Sequence, residues 1–303
     1  MRVVIAGSSG LIGSALTASL VADGHDVVRL VRRPPAAATP GSHVTEARWD
    51  PAAVHLSASA LDGADAVVNL AGAGVGDHRW TPAYKQRVRD SRVLTTATLA
   101  TTMADMPNPP RVFVAGSAIG YYGETGESAT DESGAPGGDF LARVCQEWEA
   151  AADPARKAGI RVAHPRFGLV VSAEGGALGR LLPLARLGLG GKLGTGRQYW
   201  SYVSRTDAIR ALRHIVDTGT LGGPVNVTAP NPERNSEITA EIGRAVRRPM
   251  LLAVPGPALR VALGGFAEGV LMSQRIVPAR LLASGFEFRH PGFPEALAAA
   301  LGE

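Results

Sequence analysis

The first thirteen residues, MRVVIAGSSGLIG, constrain the fold of this chain more than any other stretch. Arg2 to Ala6 form a short apolar run, rich in β-branched residues, that stops at Gly7, which is typical of a buried parallel strand. Glycine recurs at Gly10 and Gly13, and Leu11 to Val21 continue as an apolar helical pattern. A strand, a glycine turn and a helix in this order predict a seat for a phosphate group. The first glycine allows the sharp turn, the second lets a phosphate approach the backbone, and the third lets the helix pack closely on the strand.

Two other interpretations of this stretch are open. The spacing is G-x-x-G-x-x-G with Ser9 between the glycines, so the G-x-G-x-x-G pattern does not match as written, and glycine triplets also occur in plain turns. Arg2, the apolar run and the small residues near Ala18 to Ala22 also imitate a secretory signal. The glycines inside the apolar run and its immediate continuation into a second strand favour the phosphate seat.

Length and composition exclude several classes of protein. A chain of 303 residues can bury about three quarters of its unfolded surface, so it needs no disulfide or metal for stability. Cys145 is the single cysteine, and we expect a reducing compartment and a cytoplasmic location. No apolar run reaches the eighteen or so residues of a membrane span. The net charge is +4 and the pI is near 9.6, but the arginines are scattered, so we expect no nucleic-acid partner. No histidine pair has metal-ligand spacing, so we expect no metal.

Strand and helix patterns alternate through the first half of the chain. Strands are predicted near residues 25–31, 44–49, 65–70, 111–115 and 160–163, with helices between them. This alternation predicts a doubly wound parallel sheet of the Rossmann type, an α/β fold. We expect a dinucleotide-binding domain over residues 1–168 and a smaller, mixed substrate lobe over residues 169–303 that is threaded onto the sheet. In that lobe the patterns predict a helix from Arg205 to Asp217, a helix capped by Ser236, and a strand from Met250 to Val254.

The end of the second strand predicts which dinucleotide is preferred. An NAD-selective site places a carboxylate there, whereas this strand runs into Arg32 and Arg33 and meets no acid until Glu46. Arginine suits a 2′-phosphate, and one charge-assisted hydrogen bond contributes about 1.5–3 kcal/mol. We therefore predict NADP(H) over NAD(H). The alternative is that the two arginines only begin a solvated loop.

Six segments, taken together, resemble one superfamily. The segments are AGSSGLIG, NLAGAGV, SRVLTT, GSAIGYYG, HPRFGLVVSAEGG and GRQYWSYVSRTDAIRAL. Their order and spacing resemble those of the extended short-chain dehydrogenase/reductase superfamily, in which the nucleotide-sugar epimerase branch is the nearest large relative. Further segments are similar to a subfamily called "epimerase family protein", which has a short C-terminal domain of unknown function. These are Arg79-Trp80, the DF…WEAAA stretch and SQRIVPARLLASGF at residues 273–286.

The resemblance implies a set of cofactor contacts. At the diphosphate it implies Gly7, Ser9, Gly10, Leu11, Ile12 and Gly13, and at the 2′-phosphate it implies Arg32. Near the adenosine it implies the end of the fourth strand, at Leu70, Ala71 and Gly72, and from the long helix it implies Arg92. Beside the nicotinamide it implies the segment from Pro165 to Gly168, including Arg166.

The same resemblance shows where the usual catalytic residues are missing. The superfamily uses a tyrosine, a lysine four residues later and a nearby Ser or Thr. A tyrosine with a pKa near 10 needs roughly 4 kcal/mol to ionise at pH 7, which the lysine cation normally supplies. In the superfamily a glutamate usually follows that lysine, and counting back from it, here Glu149, places Leu141 and Cys145 at the Tyr and Lys positions. Counting back from Tyr122-Gly123 places Ala118 at the position of the hydroxyl. A count shifted by one gives Phe140 and Val144, which are equally inert.

Other groups on the loop after the fifth strand are candidates to replace this relay. Ser117 and Tyr122 are the predicted catalytic pair, although the Tyr-Tyr-Gly segment also suits a structural role. Another candidate general base is the carboxylate of Glu127, Asp131 or Glu132, with a pKa raised by burial. Cys145 is expected to be a buried structural thiol. His164 either faces the nicotinamide or is a core histidine.

Two functions are consistent with these observations. The first is an NADP(H)-dependent oxidoreductase or epimerase-like enzyme that acts on a small carbonyl or hydroxyl substrate with a non-standard acid/base. The second is an NADP(H)-binding sensor or partner-binding module without turnover. The chain is expected to be a monomer or a homodimer. The segment Pro255 to Gly285 is expected to cover either the substrate cleft or a subunit interface.

Overall fold

A central, mainly parallel sheet organises the chain. The computed structural model describes residues 1–37 and 39–302. Within these residues the strands of the sheet are β1 (Arg2–Ala6), β2 (Asp26–Val31), β3 (Val44–Asp50), β4 (His55–Leu56), β5 (Ala66–Asn69), β6 (Val112–Ala115), β7 (Ser117–Ala118), β8 (Arg161–Phe167) and β12 (Gly223–Val227). Their order across the sheet is β12-β8-β6-β5-β1-β2-β3-β4, and β7 pairs with β8. Among the described strands of this sheet, only β3 and β4 form an antiparallel pair.

The remaining strands form two small ribbons outside this sheet. They are β9 (Leu169–Val171) with β11 (Tyr202–Ser204), and β10 (Tyr199–Trp200) with β13 (Glu233–Arg234). Because β12 comes from the C-terminal half yet pairs in parallel with β8, that half is threaded onto the main sheet.

Helices cover both faces of the sheet. They are α1 (Leu11–Ala22), α2 (Pro82–Ala104), α3 (Phe140–Ala150), α4 (Asp153–Lys157), α5 (Gly176–Arg186), α6 (Arg205–Asp217), α7 (Asn235–Val246), α8 (Gly256–Leu263), α9 (Phe266–Leu271), α10 (Ala279–Ala283) and α11 (Phe293–Gly302), and 3₁₀ turns occupy Ala58–Ala60 and Ile119–Tyr122. In the described part of the chain, none of the helices is both long enough and apolar enough to cross a membrane.

The alternation of side chains along β1 builds two cores. Val3 and Ile5 face the core under α1 and α6, whereas Val4 and Ala6 face the core on the opposite side of the sheet. All four are at most 1% exposed, as expected for a central strand with helices on both faces. The chain order reverses between β1 and β5, which is the switch point where such sheets bind ligands. The predicted Rossmann-type α/β fold is confirmed.

Several element boundaries differ from the sequence prediction. The sixth strand, predicted to end at Ala163, continues to Phe167. On one side of β8, Pro165 lies between the stretch that pairs with β6 and the stretch that pairs with β7, and on the other side it is the register partner of Val225 in β12. Ser236 is not a cap, since α7 begins one residue earlier and Glu237 accepts a hydrogen bond from the Arg234 amide. Met250 to Val254 is not a strand, and only Val254 forms a bridge, to Leu193.

Candidate functional site

The glycine turn between β1 and α1 is shaped by close backbone contacts. Gly7 has a φ of +79°, and a Cβ at this position would lie 2.6 Å from the Leu70 carbonyl carbon. A Cβ on Gly13 would lie 2.2 Å from the Gly7 carbonyl oxygen, so only glycine lets α1 start this close to β1. A Cβ on Gly10 would have the Gly7 oxygen at 3.4 Å as its nearest contact. The first and third glycines are therefore required by the fold, whereas the second is free to leave room for a ligand.

The start of α1 leaves backbone donors at this turn. Gly10 is the N-cap, and its carbonyl accepts from Ser14, so the amides of Leu11, Ile12 and Gly13 are among those without an intrahelical acceptor. Gly10 and Ser9 are exposed. The amides and the positive end of the helix dipole together suit an anion such as a diphosphate. This cradle fits the dinucleotide that the sequence predicts.

The loop after β5 is hydrogen-bonded to the end of β5 and to α2. The Ala71 amide donates to Asn69 Oδ1 at 3.1 Å, and the Ala73 amide donates to Ser91 Oγ at 2.9 Å. Arg92 Nη1 donates to the Ala73 carbonyl at 2.9 Å. A Cβ on Gly72 would lie 3.2 Å from Arg92 Cζ, so this glycine allows the guanidinium to lie against the loop.

Arg92 is a cation without a carboxylate. Its guanidinium lies 5.2 Å from the centre of the Trp148 ring, and burial lowers the pKa of its side chain. Among the described residues no acidic group pairs with it, and its Nη1 donates to the Ala73 and Val88 carbonyls. Its Nε and Nη2 are not among the buried atoms that lack a partner, so they are open to solvent and suited to an anionic ligand.

The positions that the resemblance assigns to the relay come together in space. A Cβ on Gly120 would lie 3.5 Å from Leu141 Cβ and 3.8 Å from Cys145 Sγ, and the Cys145 thiol interacts with the backbone of Ala118. Burial raises the pKa of Cys145 to about 12, so the thiol is neutral at pH 7. The site therefore has an alanine, a leucine and a protonated thiol where the superfamily uses a hydroxyl, a phenol and an ammonium group.

Ser117 and Tyr122, the predicted catalytic pair, belong to one buried network beneath this position. Ser117 Oγ donates to Glu149 Oε1 at 2.7 Å, and Tyr122 OH donates to Asn226 Oδ1 at 2.7 Å. Arg166 joins the two halves, since it donates to Tyr122 OH at 2.8 Å and to both oxygens of Glu149 at 2.7 and 2.8 Å. Burial raises the pKa of Tyr122 to about 12. Both hydroxyls are thus engaged inside the protein.

In the segment implied beside the nicotinamide, Pro165 and Arg166 are buried. The Arg166 side chain is 3% exposed, and its guanidinium is paired with Glu149. Pro165 is buried in β8, and a Cβ on Gly168 would lie 2.6 Å from the Ser201 carbonyl oxygen, so this glycine lets β8 and β9 approach the neighbouring segment. His164 is also buried, between the Ala115 carbonyl and Arg156, and burial lowers its pKa.

The C-terminal helix α9 packs against Leu141 at the predicted relay position. A Cβ on Gly269 would be 3.6 Å from Leu141 Cδ1, and one on Gly265 would be 3.3 Å from the Trp80 ring. Trp80 in turn packs on Phe140 and Phe266 with ring centres 5.2 and 5.7 Å apart. These contacts hold α9 against α3 beside the position predicted for the relay.

Two residues at this site were not predicted from the sequence. The carboxylate of Glu149 joins Ser117 to Arg166. Arg29 was treated as part of a strand, yet its side chain reaches the glycine turn at Ser8. Charged residues that pair with partners distant in the chain show no periodic spacing in the sequence. Only the three-dimensional arrangement reveals these pairs. No group of His, Cys, Asp or Glu able to hold a metal ion occurs in residues 1–37 or 39–302.

This parallel sheet, with a glycine turn at its switch point, is the architecture of Rossmann-type nucleotide-binding proteins. The chain belongs to the NAD dependent epimerase/dehydratase family, which it matches over residues 3–228, and residues 254–300 match a domain of unknown function (DUF1731). It is 46% identical over 296 residues to the epimerase family protein Mb2239 of Mycobacterium bovis, covering 97% of this chain and 96% of that one. The expected subfamily is confirmed.

Two solved structures are similar over the whole chain. The crystal structure of human epimerase family protein SDR39U1 (isoform 2) with NADPH has a TM-score of 0.88 and 30% identity, covering 100% of this chain and 99% of that one. The nucleoside-diphosphate sugar epimerase of Corynebacterium glutamicum has a TM-score of 0.81 and 35% identity, covering 100% of this chain and 58% of that one.

Proposed function

We propose that this chain binds NADP(H) in the cleft above the glycine turn and acts as an oxidoreductase or epimerase-like enzyme on a small carbonyl or hydroxyl substrate. The observation that carries the proposal is the cradle formed by Gly7, Gly10 and Gly13 with the free amides of α1. The human relative crystallised with NADPH supports the choice of cofactor. When bound, the nicotinamide ring supplies or accepts a hydride.

The residues of the cleft have separate tasks in this proposal. The amides at Gly10 to Gly13 and the exposed Ser9 hold the diphosphate. Arg32, exposed at the end of β2, holds the 2′-phosphate. Leu70, Ala71 and Gly72 border the adenosine, and Arg92 presents its free donors to the negatively charged part of the cofactor. From the segment Pro165 to Gly168 we assign only the backbone to the nicotinamide side, because the Arg166 side chain is bound to Glu149.

Proton transfer is the step for which this site differs from the superfamily. Tyr122, with a pKa raised to about 12 and its hydroxyl bonded to Asn226, does not ionise near pH 7. We therefore infer that Ser117 and Tyr122 position the loop under the substrate, and that water supplies or takes up the proton. Helix α9, with Gly269 against Leu141, restricts the space above the site and favours a small substrate.

The cofactor assignment is tested by thermal unfolding and tryptophan fluorescence with each nicotinamide dinucleotide. NADPH is expected to raise the melting temperature and quench fluorescence at lower concentration than NADH does. The Arg32→Ala variant is expected to lose most of that difference. Equal responses to NADPH and NADH in the wild-type protein would contradict the 2′-phosphate assignment, and no response to either would contradict the proposed function.

A non-catalytic NADP(H)-binding protein is the second candidate. One observation favours it, namely that Leu141 and Cys145 close the relay position with apolar packing against Gly120. A panel of small aldehydes and ketones, followed by loss of the reduced nicotinamide absorbance, separates the two. Turnover by the wild-type chain supports the enzyme. An inert wild-type chain that gains activity in the Leu141→Tyr, Cys145→Lys double variant supports the non-catalytic role.

A further inference from the structure

We propose that Arg29 is a second arginine of the 2′-phosphate seat, oriented by Ser8 and Glu46. The proposal rests on the NADP(H) binding proposed above and adds a residue that determines specificity. It follows from where β2 places this side chain and from the charges that surround it.

Arg29 lies on the face of the sheet where the glycine turn begins. Side chains alternate along β2, and Val27 belongs to the core under α1, so Arg29 points to the same side one step closer to the carboxyl edge. Its register partner in β1 is Ile5, two residues before Gly7. Its Nε donates to Ser8 Oγ at 3.1 Å, and Ser8 is 4% exposed. A buried hydroxyl of the glycine turn therefore fixes the orientation of this guanidinium.

Glu46 holds the other side of the same guanidinium. It is the register partner of Arg29 in β3, and its Oε1 lies 3.7 Å from Arg29 Nη1. The same oxygen accepts from Arg33 Nη2 at 2.7 Å, and Oε2 accepts from the Ala36 amide at 2.9 Å. The Ala36 amide and Arg33 lower the pKa of Glu46, which keeps the carboxylate charged at neutral pH.

The charges of this group match a phosphate monoester. Arg29 and Arg33 both lie within 4 Å of one carboxylate, Glu46, which leaves one positive charge without a counter-charge, and Arg32, exposed next to Arg33 in the chain, adds a second. A phosphate monoester carries about −1.5 to −2 at pH 7. A ribose 2′-hydroxyl offers no such charge, whereas a 2′-phosphate completes the balance. Arg29 is 31% exposed, so part of its donor surface remains open to a ligand.

The other role for Arg29 is purely structural, as the partner that neutralises Glu46. In that role its loss would lower the stability of the free protein and leave the preference between dinucleotides unchanged. In the proposed role its loss affects ligands that carry a 2′-phosphate and spares those that lack it. The two roles therefore predict opposite patterns.

The test uses titration calorimetry on the full chain with four probes, namely NADPH, NADH, adenosine 2′,5′-bisphosphate and adenosine 5′-monophosphate. Arg29→Ala is expected to weaken NADPH and the bisphosphate about tenfold or more, the value of one charge-assisted hydrogen bond, and to change NADH and the monophosphate less than about twofold. Arg29→Lys keeps the charge without the forked geometry and is expected to recover part of the loss. Arg87→Ala, which removes the same charge from an exposed site on α2, is the control and is expected to change neither.

The outcomes separate this inference from the function on which it depends. If NADPH binds the wild-type chain and Arg29→Ala binds it equally well, Arg29 is not part of the seat. Equal weakening of NADPH and NADH also overturns the proposal, because it indicates a general loss of the site. If NADPH does not bind the wild-type chain, the proposed function itself fails. The melting temperature of each free variant identifies a variant that has not folded.

Discussion

The pair formed by Glu149 and Arg166 makes the sharpest prediction about stability. Glu149 accepts three hydrogen bonds, two from Arg166 and one from Ser117. The Glu149 side chain is 13% exposed and the Arg166 side chain is 3% exposed. Glu149→Gln removes the negative charge and leaves a buried guanidinium uncompensated. Breaking a buried pair in this way costs about 3–5 kcal/mol, much more than the pair itself contributes.

The expected shift in melting temperature follows from this free energy. A change of 1 kcal/mol lowers the melting temperature of a chain somewhat smaller than this one by roughly 2–4 °C, so Glu149→Gln is expected to lower it by about 10 °C. Urea unfolding followed by circular dichroism gives the free energy of unfolding directly. Glu147→Gln on the same helix is the matched control, because the Glu147 side chain is 44% exposed in its pair with Arg89. The control should cost less than about 1 kcal/mol.

A double variant checks the physical cause. Glu149→Met with Arg166→Met removes both charges and is expected to recover most of the stability that Glu149→Gln loses, because a buried ion pair replaced by apolar groups is often neutral or better. A Glu149→Gln protein as stable as the Glu147→Gln control would refute the reasoning. It would show that the guanidinium is adequately satisfied by Tyr122 and by the face of the Tyr121 ring, which lies 3.4 Å from Arg166 Cζ.

Three further predictions concern the glycine turn and the buried acids. Gly13→Ala, with a Cβ 2.2 Å from the Gly7 oxygen, should lower the free energy of unfolding in urea by about 1–3 kcal/mol. Gly10→Ala should lower it by less than about 1 kcal/mol and should weaken NADPH binding. Equal destabilisation by the two variants would contradict this prediction. Burial raises the pKa values of Tyr122 and Cys145 to about 12 from 10.0 and 9.0. The unfolded chain therefore releases these protons first, and the free energy of unfolding should fall as pH rises above about 9, less steeply in Tyr122→Phe. The thiol of Cys145 should resist alkylation in the native protein and react in denaturant, and rapid native labelling would exclude the buried position.

Local signals in the sequence were enough to predict the framework. The glycine turn, the alternation of strands and helices, and the helix from Arg205 to Asp217 all depend on residues close together in the chain, and the structure has that helix at the predicted bounds. The predicted end of this strand, at Ala163, was wrong because Pro165 and the polar His164 and Arg166 suggest a loop. They stay in the strand because all three pair in register with β12, and because His164 contacts the Ala115 carbonyl and Arg166 binds Glu149 on α3.

The candidate site was predictable only in part. The residues of the cradle follow from spacing, and the absence of a Tyr-x-x-x-Lys relay follows from the types of residue at Leu141 and Cys145. The partners of Arg166 did not follow, because Glu149 and Tyr122 are distant in the chain and their pairing depends on how α3 packs beside the sheet. The same limit applies to Arg29, whose role depends on a register between β2 and β3 that no local pattern specifies.

The most direct test of the central claim is the backbone amide spectrum of the ¹⁵N-labelled chain during a titration with NADPH. If the diphosphate binds at the start of α1, the amide signals of Gly10, Leu11, Ile12 and Gly13 should show the largest saturable changes, and Gly10→Ala should diminish them. Saturable binding of NADPH that leaves these four amides unchanged, or no binding at all, would contradict the claim that this turn is the dinucleotide seat.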